Sequence, residues 1–133
     1  MEKMKVLLVE PMEKPRVVEI DHDLESMQKL VGGDIAVTYP WDDLVGLVHA
    51  DDAIARGYPL NRMLKDEEGN IYDVVPGAFF LAGLTEESFG SIPDDLAAKF
   101  TELFRYPEMY MRTANDHVVC FRVGSDEPPI RVI

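Results

Sequence analysis

The longest apolar stretch in this chain, Val74 to Leu84, is interrupted by Pro76-Gly77. It reaches about half of the ~20 residues that a membrane-spanning helix needs. The Pro-Gly pair marks a turn inside it, so the chain has to bury its apolar residues in short pieces. Ala78 to Leu84, after that turn, reads as a buried strand.

The neighbouring patterns agree with a fold of short strands. Lys5–Val9 and Arg16–Ile20 are rich in β-branched residues and flank a turn bounded by Pro11 and Pro15, the pattern of an antiparallel hairpin. Asp23 is placed to cap a helix over Leu24–Val31, with Leu24, Met27, Leu30 and Val31 on one face. Gly32-Gly33 closes that helix, because glycine tolerates the left-handed conformation of a C-cap. Strand patterns return at Asp34–Tyr39 and Leu44–Ala50, joined by Pro40-Trp41-Asp42-Asp43. Arg62–Lys65 and Ile71–Val75 form a second predicted hairpin around Asp66-Glu67-Glu68-Gly69-Asn70. Ser91-Ile92-Pro93-Asp94 is the expected start of a second helix, with Ser91 as its cap and Leu96, Phe100, Leu103 and Phe104 as its apolar stripe. Pro107 follows that helix, and His117–Val123 is the last strand pattern.

The order β-β-α-β-β-β-β-β-α-β predicts a single α+β domain over residues 1–133, with a mainly antiparallel mixed sheet and two helices. Residues 1–3 and 124–133 are expected as loose ends. The predicted core contains Val6, Leu8, Val18, Leu24, Met27, Val31, Ile35, Val37, Leu47, Phe79, Leu81, Leu96, Phe100 and Leu103.

Charge narrows the range of partners. The chain carries 25 acidic and 13 basic residues, a formal charge of −12. Between Asp34 and Glu108 the ratio is 15 acidic to 5 basic, so the middle of the chain is its negative part. Such a surface repels phosphate, whereas nucleic-acid binders carry a basic stripe, so no direct nucleic-acid binding is expected. The mixed-charge start Met1-Glu2-Lys3-Met4-Lys5 leads straight into a strand pattern and shows no secretory signal. Cys120 is the only cysteine, so no intramolecular disulfide and no thiolate metal cluster form. A cytoplasmic protein with no membrane partner is the expectation.

Catalytic signatures are weak. Gly32-Gly33 closes a helix, whereas a phosphate-cradling loop opens one. His22, His49 and His117 are widely separated, and His49-Ala50-Asp51-Asp52 is the nearest approach to a ligand pair, short of a zinc site. The acids at 66–68 lack the alternating ligands of a calcium loop. Cys120 among Val118, Val119 and Phe121 reads as a buried strand thiol. No metal and no cofactor are expected.

Two constellations remain as site candidates. Asn61-Arg62 and Tyr72-Asp73 flank the arms of the acidic hairpin, where Arg62 would pair with Asp73 and Asn61 would bond loop backbone. Such a pair either orients a small anion or fastens a loop. Tyr39-Pro40-Trp41 sets the only tryptophan beside Asp42 and Asp43, and Tyr106, Met109, Tyr110 and Met111 form a second aromatic and thioether group. Both groups read either as edges of the core or as interface residues, in which aromatics and methionine are enriched.

The succession Tyr39-Pro40-Trp41-Asp42-Asp43, Gly57-Tyr58-Pro59-Leu60-Asn61-Arg62 and Asp66-Glu67-Glu68-Gly69, followed by Ile71-Tyr72-Asp73-Val74-Val75-Pro76-Gly77-Ala78-Phe79-Phe80, resembles a family of uncharacterised domains. That family occurs in Gram-positive gut bacteria, their phages and conjugative elements. The resemblance runs from Met4 to about Tyr110, implies a mobile-element setting, and supplies no activity or catalytic residue. The expectation is a small, non-catalytic, acidic accessory protein that binds another protein through Tyr39, Trp41, Asp42, Asp43, Asn61, Arg62, Tyr72 and Asp73. The alternatives are a DNA mimic that inhibits a host restriction or other nucleic-acid enzyme, and an enzyme that uses Arg62 and Asp73, with His49, on a small anion.

Overall fold

The computed structural model describes residues 2–133. Its elements, in chain order, are β1 (Lys3–Val9), β2 (Arg16–Asp21), α1 (Leu24–Val31), β3 (Ile35–Thr38), β4 (Val45–Ala50), β5 (Leu60–Lys65), β6 (Ile71–Pro76), β7 (Phe79–Leu84), β8 (Phe89–Gly90), α2 (Asp94–Leu103), β9 (Glu108–Arg112), β10 (Val118–Arg122) and β11 (Ile130–Arg131). The fold is α+β, and every strand pair among the described residues is antiparallel. The strands divide into three sheets: β2-β1-β7-β4-β3 with β8 beside β7, the hairpin β5-β6, and β11-β10-β9. No described helix is long and apolar enough to cross a membrane.

The largest sheet is covered on both faces, which explains its unbroken apolar strands. One set of alternate residues, including Met4, Val6, Leu8, Val48, Phe80 and Ala82, packs with Met27 and Val31 of α1. The other set, Leu7, Val9, Val45, Leu47, Phe79 and Leu81, packs with Phe100 and Phe104 from α2 and its end, and with Leu64 and Val75 of the hairpin. The central strands β1, β7 and β4 thus face protein on both sides.

Helix α1 forms as its sequence predicts. The Asp23 carboxylate accepts a hydrogen bond from the Ser26 amide at 2.8 Å, and that bond holds its pKa below the usual carboxylate range. Gly32 closes the helix at φ 79°, a conformation that costs glycine nothing.

Helix α2 departs from expectation at its start. Its N-cap is Pro93, with no side-chain cap bond, rather than Ser91. The Ser91 hydroxyl instead accepts from the Lys5 amide at 2.9 Å, and the Ile92 amide donates to the Lys5 carbonyl at 2.8 Å. Residues 91–92 therefore continue the ladder of β1 past the point where β7 stops pairing with it. The approach is so close that a Cβ on Gly83 would stand 2.4 Å from the Ser91 carbonyl oxygen.

Two predicted core residues are not in the core. Leu24 is 56% exposed, in the first turn of α1, outside the part of the helix that covers the sheet. Leu103 is 54% exposed, because α2 buries the line Ala97, Phe100 and Phe104, and Leu103 falls to one side of it. Val18, Ile35, Val37 and Leu96 pack only partly buried at the rims of the two clusters. The remaining eight, Val6, Leu8, Met27, Val31, Leu47, Phe79, Leu81 and Phe100, are buried.

The expected loose ends also carry structure. Lys3 starts β1 opposite Asp21, and the Glu2 carbonyl accepts from the His22 amide at 2.9 Å, while Met1 lies outside the described residues. In 124–133, Ile130 and Arg131 pair with Cys120 and Val119, and the Val132 amide donates to the Val118 carbonyl at 2.8 Å.

Phe100 is fully buried, so Phe100→Ala is expected to cost about 3–5 kcal/mol in urea unfolding. Leu103→Ala, on the same helix but half in solvent, is expected to stay within about 0.5 kcal/mol of the parent.

Candidate functional site

Asn61 and Arg62 enter the interior together, at 0% and 1% exposure. The Asn61 amide nitrogen donates to the carbonyls of Val9 and Gly77, each at 2.9 Å, and its side-chain oxygen accepts from Arg62 Nη1 at 2.8 Å. Arg62 Nη2 donates to the Glu13 carbonyl at 2.7 Å and to the Phe104 carbonyl at 3.1 Å, and Nε reaches the same Phe104 oxygen at 3.2 Å. Burial lowers the guanidinium's pKa from its ordinary value, and the nearby charge of Glu108 opposes that shift. Asn61 thus bonds backbone as expected.

The predicted Arg62–Asp73 pair does not form. The hairpin register sets Arg62 opposite Val75 and Asp73 opposite Leu64. Asp73 stays exposed, with its Oδ1 accepting from the Val74 amide at 2.8 Å. Arg62 has spent its donors on backbone and on Asn61, so it fastens the fold and presents no fork to an anion. His49 and Asp73 line a separate groove beside the 51–55 turn, away from Arg62, and His49 Nδ1 lies 3.0 Å from the Ala50 carbonyl. The three residues of the anion-binding alternative are therefore not assembled into one site.

A different grouping does assemble. Trp41, Asp42, Asp43, Asp66, Glu67 and Tyr72 line a groove of about 550 Å³ between the β3–β4 connector and the tip of the β5–β6 hairpin. Four of the predicted site residues meet there: Trp41, Asp42, Asp43 and Tyr72. Trp41 is half-buried, with its ring 4.4 Å from Phe100 and 5.9 Å, edge-on, from Phe104. It is both an edge of the core and a wall of the groove. Tyr39 is 61% exposed beside it, and Tyr72 is 54% exposed on the opposite wall. Partial burial, followed by the charges of Asp73 and Asp66, raises the Tyr72 pKa above its ordinary value.

Lys99 reaches into this groove from α2 and donates to both oxygens of Asp43, at 2.9 and 3.0 Å. Asp66 is engaged by its own turn, since its Oδ1 accepts from the amides of Glu68 and Asn70 at 3.0 and 2.8 Å. Four carboxylates and two ammonium groups, those of Lys65 and Lys99, leave the groove negative. Among the described residues, no three or more His, Cys, Asp or Glu stand close enough to hold a metal ion.

At Trp41 the groove adjoins a smaller slot of about 160 Å³, walled by Trp41, Leu64, Leu103 and Phe104, with Lys65 and Asp66 shared with the groove and the Glu108–Arg122 pair completing the lining. Glu108 is 4% exposed and is fully engaged. Its Oε1 accepts from the Met63 amide and the Tyr110 hydroxyl, each at 2.8 Å, and its Oε2 pairs with Arg122 Nε at 3.2 Å. Burial and the adjacent Glu108 push the Tyr110 hydroxyl far above its ordinary range and the Cys120 thiol up to about 11. Sequence reasoning missed Glu108, Asp66, Glu67, Lys99 and Leu103 as site members. The one available signal for Glu108 was an acid standing alone inside the aromatic run Tyr106–Tyr110.

The family model described as Domain of unknown function (DUF3846) matches residues 4–105, and the chain belongs to that family. No curated protein and no solved structure matches it.

Removing the guanidinium orphans buried carbonyls, so Arg62→Ala is expected to lose about 3 kcal/mol or more of unfolding free energy. Arg62→Lys is not expected to restore it, because one ammonium lacks the fork that spans Glu13, Phe104 and Asn61. Cys120 is neutral in the folded protein up to about pH 11, above the ~8.5 of a free thiol. Its burial therefore favours folding fully below pH ~8.5, and that contribution fades as pH rises toward 11. Iodoacetamide at pH 8.5 is expected to label the urea-unfolded chain readily and the native protein at least about tenfold more slowly.

Proposed function

We propose that this member of the DUF3846 family is a small, non-catalytic, acidic accessory protein that binds another protein through the groove at Trp41. The observation that carries this reading is the convergence of two exposed or half-exposed aromatic walls, Trp41 and Tyr72, with an excess of carboxylates in one concave surface. Protein interfaces are anchored by such aromatic residues within a polar rim. The non-catalytic part of the reading rests on Arg62, whose donors are consumed by backbone and Asn61, and on its separation from Asp73 and His49. The mobile-element setting rests on the resemblance of the motifs from Tyr39 to Phe80. The sign of the charge supports a protein over a nucleic acid as the partner.

The distribution of acids favours this reading over DNA mimicry. A mimic needs rows of carboxylates spaced like the phosphates of a duplex. Here Asp42-Asp43 and Asp66-Glu67 meet in the groove, while the other acidic pairs sit on separate elements: Asp51-Asp52 after β4, Glu86-Glu87 between β7 and β8, and Asp94-Asp95 in the first turn of α2. Several are neutralised locally, as Asp52 is by Arg56 at 2.7 Å and Asp43 by Lys99.

The test is affinity capture from bacterial lysate with the wild-type protein and with Asp42→Lys/Glu67→Lys, whose sites are exposed and should leave Tm unchanged. The expected result is a protein retained by the wild type at ~0.15 M salt, released at ~1 M, where the Debye length falls to about 3 Å, and not retained by the variant. Equal retention by both proteins would remove the groove from the reading. Capture of a DNA-processing enzyme that duplex DNA competes off would replace the reading with mimicry.

A further inference from the structure

We infer that the groove recognises a basic peptide segment carrying one apolar anchor residue, with the anchor in the slot at Trp41 and the basic side chains on the carboxylate rim. This rests on the protein-binding reading above and specifies its partner.

The slot sets the anchor. Its volume of about 160 Å³ is close to that of cavities that hold a benzene-sized group. Its side walls are the rings of Trp41 and Phe104 and the side chains of Leu64 and Leu103. At the polar end both oxygens of Glu108 already have donors, and Arg122 gives Nε to Glu108 and Nη1 to Glu127, each at 3.2 Å. Against the walls of Trp41, Leu64, Leu103 and Phe104 a polar guest would lose its water without gaining a partner, so these walls favour an apolar side chain. Leu103 is consistent with such a guest: it belongs to the apolar stripe of α2, yet it is left 54% exposed at this wall.

The rim sets the flanking charge. Slot and groove share Trp41, Lys65 and Asp66, so an anchor in the slot places its neighbours along the groove. Asp43 is neutralised by Lys99, while Asp42 and Glu67 have no ion-pair partner among the described residues. A cation entering there gains carboxylates already held in place, and its aliphatic stem lies over Trp41 or Tyr72. An acidic segment meets net repulsion, from four carboxylates against Lys65 and the Asp43-bound Lys99. Lys99 on Asp43 shows the arrangement that an incoming lysine would extend.

Trp41 is the only tryptophan and lies at the junction, so its fluorescence reports occupancy directly. The probes are the acetylated peptide amides Lys-Lys-Phe-Lys-Lys, Lys-Lys-Ala-Lys-Lys and Glu-Glu-Phe-Glu-Glu. The first should titrate Trp41 saturably, the second should bind at least about tenfold more weakly for want of the buried ring, and the third should not bind. Leu103→Lys places a like charge at the slot wall and should weaken the first peptide at least about tenfold, at unchanged Tm. Equal binding of the first two peptides, or binding of the acidic one, would overturn the inference. So would the absence of saturable binding by all three. If the wild type then still captured a protein that Asp42→Lys/Glu67→Lys loses, the docking reading would stand and only the anchor-and-rim specificity would fall.

Discussion

A guanidinium buried to 1% exposure, facing backbone carbonyls rather than a carboxylate, governs how the pieces of this fold meet. A charge taken out of water is costly unless every donor is satisfied, and Arg62 meets that condition by drawing in two distant stretches of chain and its own neighbour. Glu13 comes from the β1–β2 turn, Phe104 from the end of α2, and Asn61 from its own strand. Asn61 extends the reach to Val9 and Gly77, so β1 and the β6–β7 turn are tied to the same point. The Phe104 carbonyl is one of the orphan acceptors at a helix C-terminus, where a cation also suits the helix dipole. That bond sets the end of α2. The end of α2 in turn sets the rings of Phe100 and Phe104 against which Trp41 leans. The groove and the slot are downstream of Arg62, even though Arg62 touches neither.

The secondary structure was largely legible because its signals are local. The β-branched residues of β1 and β2, the Asp23 cap, Gly32 and the acidic hairpin turn each act within a few residues, and each formed. The errors fall where a distant partner outbid a local signal. Ser91 has the chemistry of a cap, but an unpaired Lys5 amide on β1 claims its hydroxyl. Leu103 fits a helical stripe, but the stripe is rotated toward Ala97, Phe100 and Phe104 by what the sheet presents. The short strands β9 and β11 carry little pattern of their own and exist because β10 offers two edges to pair with. The same holds for the site. The groove residues Trp41, Asp42, Asp43 and Tyr72 stood out by residue type, whereas Glu67 and Lys99 become site residues only when the hairpin tip and α2 fold toward Trp41. Arg62 and Asp73 looked paired by spacing, and the hairpin register separated them.

The distribution of charge also has a structural logic. A net charge of −12 would repel itself if its carboxylates were gathered on one face. Turn positions tolerate them, because Asp and Glu there accept amide bonds or pair with a cation a few residues away, as Asp66 and Asp52 do. A share of the acids is thereby accounted for by local folding. The excess that remains at Asp42 and Glu67 is what gives the Trp41 groove its sign.

The family match ends at Arg105, and the slot straddles that limit. Trp41, Leu64, Leu103 and Phe104 lie inside the matched segment, while Glu108 and Arg122 come from the β9-β10-β11 sheet beyond it. On the docking reading, this separates two physical tasks. The acidic rim, built wholly from matched residues, acts at a distance by steering a basic segment toward the groove, and salt screens it. The slot acts only at contact, and one end of it is closed by the Glu108–Arg122 ion pair of the β9-β10-β11 sheet. Relatives that keep the rim but pack a different element against the end of α2 would attract the same class of charged segment and select a different anchor. On that reading the choice of anchor would be set where the β9-β10-β11 sheet meets the hairpin, at the hydrogen bond from the Met63 amide to Glu108 that fixes the polar end of the slot.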